Sequence, residues 1–401
     1  MNNRVSNISS AGPPHGATGF PHSHLGFLDG IRGLAALYVL AHHAWLTIYF
    51  DGRRPDHVHA FWEGWLDYGH FAVDVFIVLS GFCLMIPVAK RGNVLEGGTS
   101  SFFKKRIRRI LPPYYAALVL SIALATTVLS HKMGTVWDYS LPVTPMGILA
   151  HLLLLQNIHR SLEINSVFWS IAVECQIYLL FPLLVRGWST IGIKRTAGLA
   201  IAVGIVVAVI LQPTRFAGLT AHYLSLFTFG MIGATICFSS NSTAVRYRAS
   251  TLWLGISAGF CALVLLCTQI PLATTKYQIG MDILVGLCAV TFIIGLTHSR
   301  QSWIHRCLNW APFVYIGTFS YSLYLVHLPI LQLLWQYVLV PAHPKAQLDL
   351  FLLILGGLTL GVAFSWLFHI VFERPFMSTT QKLASSEVVA TGSIGPALGE
   401  A

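Results

Sequence analysis

Residues 27–50 read FLDGIRGLAALYVLAHHAWLTIYF, an apolar stretch that nevertheless carries Asp29, Arg32, His42 and His43. A run of about 17–25 apolar residues is long enough to cross a bilayer as one helix. Arg32 and His43 are eleven residues apart, almost three helical turns. They therefore share nearly one face and lie about 16 Å apart along the axis. His42 is turned about 80° from that face in the other direction. Ionisable groups are expensive in hydrocarbon, so a cation and an imidazole inside one span point to function. The competing reading is a snorkelling arginine and a hydrogen-bonded structural histidine.

Stretches of comparable length recur along the chain. They fall at 27–50, 71–89, 109–130, 166–186, 197–213, 219–240, 251–269, 277–297, 312–338 and 349–372. The composition is 55% hydrophobic and 10% charged, which excludes a soluble globular domain. The expectation is an all-α, polytopic membrane bundle of about ten transmembrane helices over residues 27–376. Residues 1–26 and 377–401 are rich in small and polar residues and read as flexible tails. The stretch 147–157 is apolar but too short to span, and reads as a helix partly inserted in an outer loop.

The formal charge of +10 is distributed in a way that argues against nucleic acid. Lys90, Arg91, Lys104, Lys105, Arg106, Arg108 and Arg109 crowd the segment 90–109, read as one loop. Arg186, Lys194, Arg195, Arg246, Arg248, Arg300, Arg306, Arg374 and Lys382 fall on the same side, with Arg4 and Arg32. The other side receives Arg53, Arg54, Lys132, Arg160, Arg215, Lys276 and Lys345. This is the positive-inside asymmetry, and it places both termini in the cytoplasm. The same cations suit anionic lipid or a phosphorylated cofactor. The seven cysteines show no metal spacing and no Cys-x-x-Cys pair, and read as packing residues.

A bundle that only packs would avoid carboxylates in its spans. This one places Asp74, Glu174 and Asp282 within them. Counted from the span ends, His43, Asp74, Glu174 and His327 share a layer in the outer half or middle of the bilayer. Ser170, Glu174 and Tyr178 recur at i, i+4 and i+8, a polar stripe that suits either catalysis or helix–helix adhesion. Ser320, Tyr324 and His327 share another face. Their hydroxyls and imidazole suit sugar binding, proton relay or interhelical hydrogen bonds equally. Gly81 suits close helix packing or close approach to a ligand. Arg106 and Arg109 stand at i and i+3. Two guanidinium forks there suit phosphate, and plain membrane anchoring is the alternative.

Together these segments resemble the membrane acyltransferase 3 family. The resemblance rests on Leu28-Asp-Gly-Ile-Arg32-Gly-Leu-Ala-Ala with His43 eleven residues after the arginine, Val73-Asp74-Val-Phe-Ile-Val-Leu-Ser80-Gly81-Phe82, and Phe103-Lys-Lys-Arg106-Ile-Arg-Arg109-Ile-Leu-Pro112. It continues through Trp169-Ser170-Ile-Ala-Val-Glu174, Ser320-Tyr321-Ser-Leu-Tyr324-Leu-Val-His327 and the closing Glu373-Arg374-Pro375. The motifs run in order over residues 27–376. The resemblance implies an integral membrane enzyme of the stand-alone type. It would move an acyl group, acetyl by default, from acyl-coenzyme A to a hydroxyl of a carbohydrate or glycolipid. It also implies a multi-pass protein of a bacterial inner membrane. The family's Arg and His of the first span fall on Arg32 and His43, and its paired arginines on Arg106 and Arg109.

The chemistry follows from these residues. An ester-forming transfer needs a base, oxyanion donors and close placement of both substrates. His43 is the candidate base, with Asp74 or Glu174 orienting its second nitrogen. Arg32, Arg106 and Arg109 would hold coenzyme A phosphates. The acceptor would approach from outside, past Ser170, Tyr178, Ser320, Tyr321, Tyr324 and His327. No metal and no permanently bound cofactor is expected. The competing class is a proton-coupled secondary transporter that uses the same His and Glu residues, although no two-half repeat is visible.

Topology gives the first test. A reporter fused after residue 95 should read cytoplasmic, and one fused near residue 60 extracytoplasmic. Finding residue 60 in the cytoplasm would overturn the assignment.

Overall fold

In the computed structural model, residues 25–50, 64–159, 163–240, 250–268, 277–342 and 346–377 are described. The expected tails lie almost wholly outside them, as do Arg4, Arg53, Arg54, Arg160, Arg246, Arg248, Lys276, Lys345 and Lys382.

The described chain is helical, with no strand. In order the long elements are α1 (Gly26–Tyr49), α2 (Phe71–Lys90), α3 (Gly98–Thr126), the short α4 (Pro145–Leu152), α5 (Trp169–Thr190), α6 (Ile193–Leu211), α7 (Tyr223–Phe238), α8 (Ser250–Thr268) and α9 (Gln278–His298). They continue with α10 (Ala311–Thr318), α11 (Ser320–Ala342) and α12 (Leu348–Phe376). Eight helices among the described residues are long and apolar enough to span a membrane: α2, α3, α5, α6, α7, α9, α11 and α12. α1 has the length but carries Asp29, Arg32 and two histidines. α8 contains a shorter apolar segment, Leu252–Thr268. The chain is thus a polytopic, all-α membrane protein. Its outward faces are apolar: α6 exposes Leu199, Val203, Val206, Val209 and Ile210, as a lipid-facing helix must.

Three boundaries differ from the sequence reading. Residues 98–109 are helix rather than loop, and only Arg91–Gly97 connects α2 to α3. No breaker interrupts 99–111, and Gly97, at φ +68°, makes the left-handed turn that starts the helix. The expected single span 312–338 is two helices, broken at Phe319. Hydroxyls draw carbonyls out of the ladder there: Thr318 Oγ1 donates to Tyr315 O (2.7 Å) and Ser320 Oγ to Gly317 O (2.9 Å). The expected partly inserted stretch is α4, capped by Thr144 Oγ1, which accepts from Gly147 N at 3.0 Å. It is followed by a helical turn at Gln156–His159. α4 exposes Met146, Leu149 and Leu152 while burying Ala150 and His151.

Hydrocarbon gives helices no hydrophobic drive to associate, so small residues and polar contacts must hold them. The broadest interface, α2 on α7, is a reciprocal glycine contact. A Cβ on Gly81 would stand 2.1 Å from Phe227 O, and one on Gly230 2.1 Å from Val78 O. α1 approaches α10 in the same way, with Gly317 against Asp29 O. That approach keeps α1 in the centre of the bundle. At the end of α12, Glu373 accepts hydrogen bonds from Ser322 Oγ (2.6 Å) and His369 Nδ1 (2.8 Å), all three groups buried. This clamps α11 to the closing helix.

Gly81→Ala should therefore overpack the α2–α7 seam and cost about 1–3 kcal/mol, read as a lower thermal midpoint in detergent. Gly255→Ala, whose Cβ meets open space, should leave the midpoint in place. Equal midpoints would contradict the seam.

Candidate active site

A cavity of about 530 Å³ runs between α1, α2, α3, α5 and the α10–α11 break. Its lining on α2 extends from Val73 to Lys90, seventeen residues or about 26 Å of helix. The cavity is therefore a long chamber along the bundle axis.

Its Lys90 half is cationic. Arg32 donates to Asp29, one turn before it, and to Cys83 Sγ (2.9 Å). Arg106 lies near Cys83, Arg109, Tyr178 and Glu174. Its Nε is buried with no hydrogen-bond partner, a donor held ready for an anion. Residues 104, 105 and 108 on the same helix are exposed, whereas Arg106 and Arg109 turn inward. The neighbouring Arg91 is neutralised outside the chamber by Glu96 (2.7 Å). The hydrogen bond from Arg91, and its charge, hold that carboxyl below the usual carboxylate range. Arg106 and Arg109 remain as cations facing the chamber, against the carboxylate of Glu174, while Lys90 borders it with its Nζ over the Phe238 ring, 5.2 Å from the centroid.

The middle of the chamber carries a hydroxyl relay. Tyr178 donates to Glu174, and Ser80 Oγ lies 2.6 Å from the Tyr178 hydroxyl. Toward the Val73 end, Ser170 Oγ and the Tyr324 hydroxyl are 2.6 Å apart, and Tyr324 also donates to Val167 O (3.1 Å). Phe76 packs edge-on against Tyr324, ring centroids 6.1 Å apart. Ser320 and Tyr321 line the same space, with the Tyr321 hydroxyl donating to Ile110 O (3.2 Å).

Behind Tyr324 stand two imidazoles. The ring of His327 is 5.9 Å from that of Tyr324, and the ring of His43 is 4.9 Å from His327. His327 Nδ1 meets the carbonyls of Tyr324 (2.8 Å) and Leu323 (3.2 Å). A carbonyl can only accept, so that nitrogen carries the proton and Nε2 is a lone pair. His43 Nδ1 meets Val39 O (2.9 Å) and His327 Nε2 (3.2 Å). Both are acceptors, so His43 is protonated at Nδ1 and its Nε2 is left basic. His43 keeps part of its surface exposed, while His327 is 1% exposed.

Nine of the residues singled out in the sequence thus line one cavity: Arg32, Arg106, Arg109, Ser170, Glu174, Tyr178, Ser320, Tyr321 and Tyr324. His43 and His327 meet just beyond it. Asp74 does not join them. It is buried at the start of α2 beside Tyr223 and Asp282, and Asp282 in turn accepts from His222 Nε2 (2.8 Å). Glu174 engages Tyr178 rather than His43. The place expected of an orienting carboxylate is taken by His327. Depth in the bilayer fixes only one coordinate, and these carboxylates differ from His43 in position around the bundle. His42 is turned away and donates from Nδ1 to Leu66 O (2.6 Å). Sequence reasoning passed over Lys90, Cys83, Ser80 and Phe76 as site residues. The recurrence of Val73, Phe76, Ile77, Ser80, Cys83 and Lys90 at helical spacing was the available signal. Among the described residues, no group of three or more His, Cys, Asp or Glu side chains could hold a metal ion.

The family model described as the acyltransferase domain matches residues 25–370, and the chain belongs to that family. YrhL of Bacillus subtilis is 26% identical over 337 residues, covering 78% of this chain and 49% of the relative. OatA of Listeria monocytogenes is 22% identical over 338 residues, covering 79% and 51%. Both are named as peptidoglycan O-acetyltransferases, the first of them putatively so. The chain spans about half the length of these curated relatives. No solved structure matches it.

Proposed function

We propose that the chain is a membrane-embedded O-acetyltransferase. It would take an acetyl group from acetyl-coenzyme A entering at the basic end of the chamber, and transfer it to a hydroxyl of a carbohydrate arriving at His43. The basic end would face the cytoplasm, with both termini, in the inner membrane of a bacterium. The names of the relatives favour peptidoglycan as acceptor; a lipid-linked glycan is the alternative. One observation carries the reading: a single chamber joins a cationic half, with an unsatisfied buried Arg106 Nε, to a far end one ring removed from a tautomer-fixed histidine pair.

Arg106, Arg109 and Lys90 hold donor phosphates, and the pantetheine arm lies along α2. Arg32, paired with Asp29, shapes the chamber wall and adds charge without a bare cation. The thioester reaches the end marked by Ser170 and Tyr324, whose hydroxyls are the polar groups there. His43, whose ring meets that of His327 behind Tyr324, would take the proton of the acceptor hydroxyl at Nε2 through one intervening water as the acceptor oxygen attacks the thioester carbonyl. Nδ1–H donates to Val39 O and His327 Nε2, which hold the ring in the required tautomer and spread the charge of the imidazolium. Collapse of the tetrahedral intermediate expels the thiolate, and the proton held by His43 returns to it. The products are the acetyl ester and free coenzyme A, with no net proton change. No covalent acyl-enzyme is required.

The double change Arg106→Ala with Arg109→Ala should weaken acetyl-coenzyme A binding by about 1.5–3 kcal/mol for each phosphate hydrogen bond removed, measured by calorimetry in detergent. His43→Ala should lower turnover about 10²–10⁴-fold with donor affinity little changed, whereas His42→Ala should retain much of the activity. Unaltered donor affinity in the double variant would leave the arginines as anchors, and near-normal turnover in His43→Ala would move the base elsewhere.

A further inference from the structure

We infer that Phe76 and Tyr324 set the length of the acyl group, as the two rings that narrow the uncharged end of the chamber that this group must enter. The inference rests on the donor reading above and identifies the residues that would restrict it to short chains.

Three observations carry it. First, the polar lining ends at Ser170 and Tyr324, and the rest of that end is built from Val73, Phe76, Ile77 and Ile171. A group at this end meets apolar side chains and two hydroxyls already engaged with each other. Second, the Tyr324 ring is pinned. Its hydroxyl is tied to Ser170 Oγ at 2.6 Å, in the first turn of α5, and to Val167 O at 3.1 Å, in the helical turn just before it. The ring also packs near-perpendicular to Phe76 (6.1 Å between centroids) and tilted against His327 (5.9 Å). Val167 and Ser170 are themselves buried, so the ring has little freedom to yield. Third, Phe76 is the partly buried member of the pair and is the side chain a longer acyl group would have to displace.

The physical consequence is a limit at one end only. Phosphates fixed in the Lys90 half set how far the thioester can advance. Carbons added beyond the acyl methyl then meet Phe76 and Tyr324 rather than open space. Such a wall discriminates by about 10–200-fold for each methylene that finds no room. It rejects larger groups without needing any polar contact to the acetyl group itself.

The test compares the affinities of the full chain in detergent for acetyl- and butyryl-coenzyme A by calorimetry. The wild type should prefer acetyl by at least about tenfold. Phe76→Ala should remove most of that preference, and Phe76→Leu part of it, which guards against a variant that fails to fold. Tyr324→Phe, which frees the ring from Ser170 and Val167, should also narrow it. Leu84→Ala, in the lining of the Lys90 half, should keep the wild-type ratio. Binding with the same ratio in wild type, Phe76→Ala and Phe76→Leu overturns the inference while leaving the donor reading intact. Equal affinity for both thioesters in the wild type does the same. Failure of the wild type to bind either one overturns the donor reading, and this inference with it.

Discussion

The contact between His43 Nδ1 and His327 Nε2, 3.2 Å across the centre of the bundle, is the interaction on which the rest of the site depends. A neutral imidazole carries one proton, and its use as a base is decided by which nitrogen holds it. Here the decision comes from backbone carbonyls one turn back on each helix, Val39 O on α1 and Tyr324 O on α11. Both rings therefore offer Nε2 as an acceptor. His327 spends its acceptor on His43, and His43 keeps its own. The arrangement holds only while α1 stays pressed against α10 and α11, where the contact of Gly317 with the Asp29 carbonyl leaves no room for a side chain.

Charge inside the membrane is handled by the same economy. Arg32 is compensated by Asp29 within its own helix, and Glu174 by the Tyr178 hydroxyl and the nearby Arg106. The cations left facing the chamber lie on its Lys90 side, where an anionic group can supply what the protein withholds. Toward the Val73 end the lining carries no charge. A substrate with phosphates at one end and a small neutral reactive group at the other matches this gradient.

Much of this was legible in the sequence, for definite reasons. Apolar run length gave the helices, and 100° per residue put Arg32 and His43 on one face while turning His42 away. The i, i+4 stripes of Ser170–Glu174–Tyr178 and Ser320–Tyr324 did face one cavity. What periodicity cannot supply is the partner across a helix interface. Ser170 and Tyr324 are 154 residues apart, and His43 and His327 are 284 apart. Depth alone groups Asp74 with His43, whereas its neighbours are Asp282 and Tyr223. The break at Phe319 carries no proline or glycine at the broken residue itself, and the helical start of α3 was hidden among basic residues that read as loop.

The most direct test of the account is a structure of the full chain with a non-hydrolysable thioether analogue of acetyl-coenzyme A. The analogue should lie along α2, its phosphates against Arg106, Arg109 and Lys90, and its acetyl end against Tyr324 and Phe76 on the side nearest His327. An analogue bound with its phosphates at the Val73 end, or outside the chamber altogether, would contradict the account.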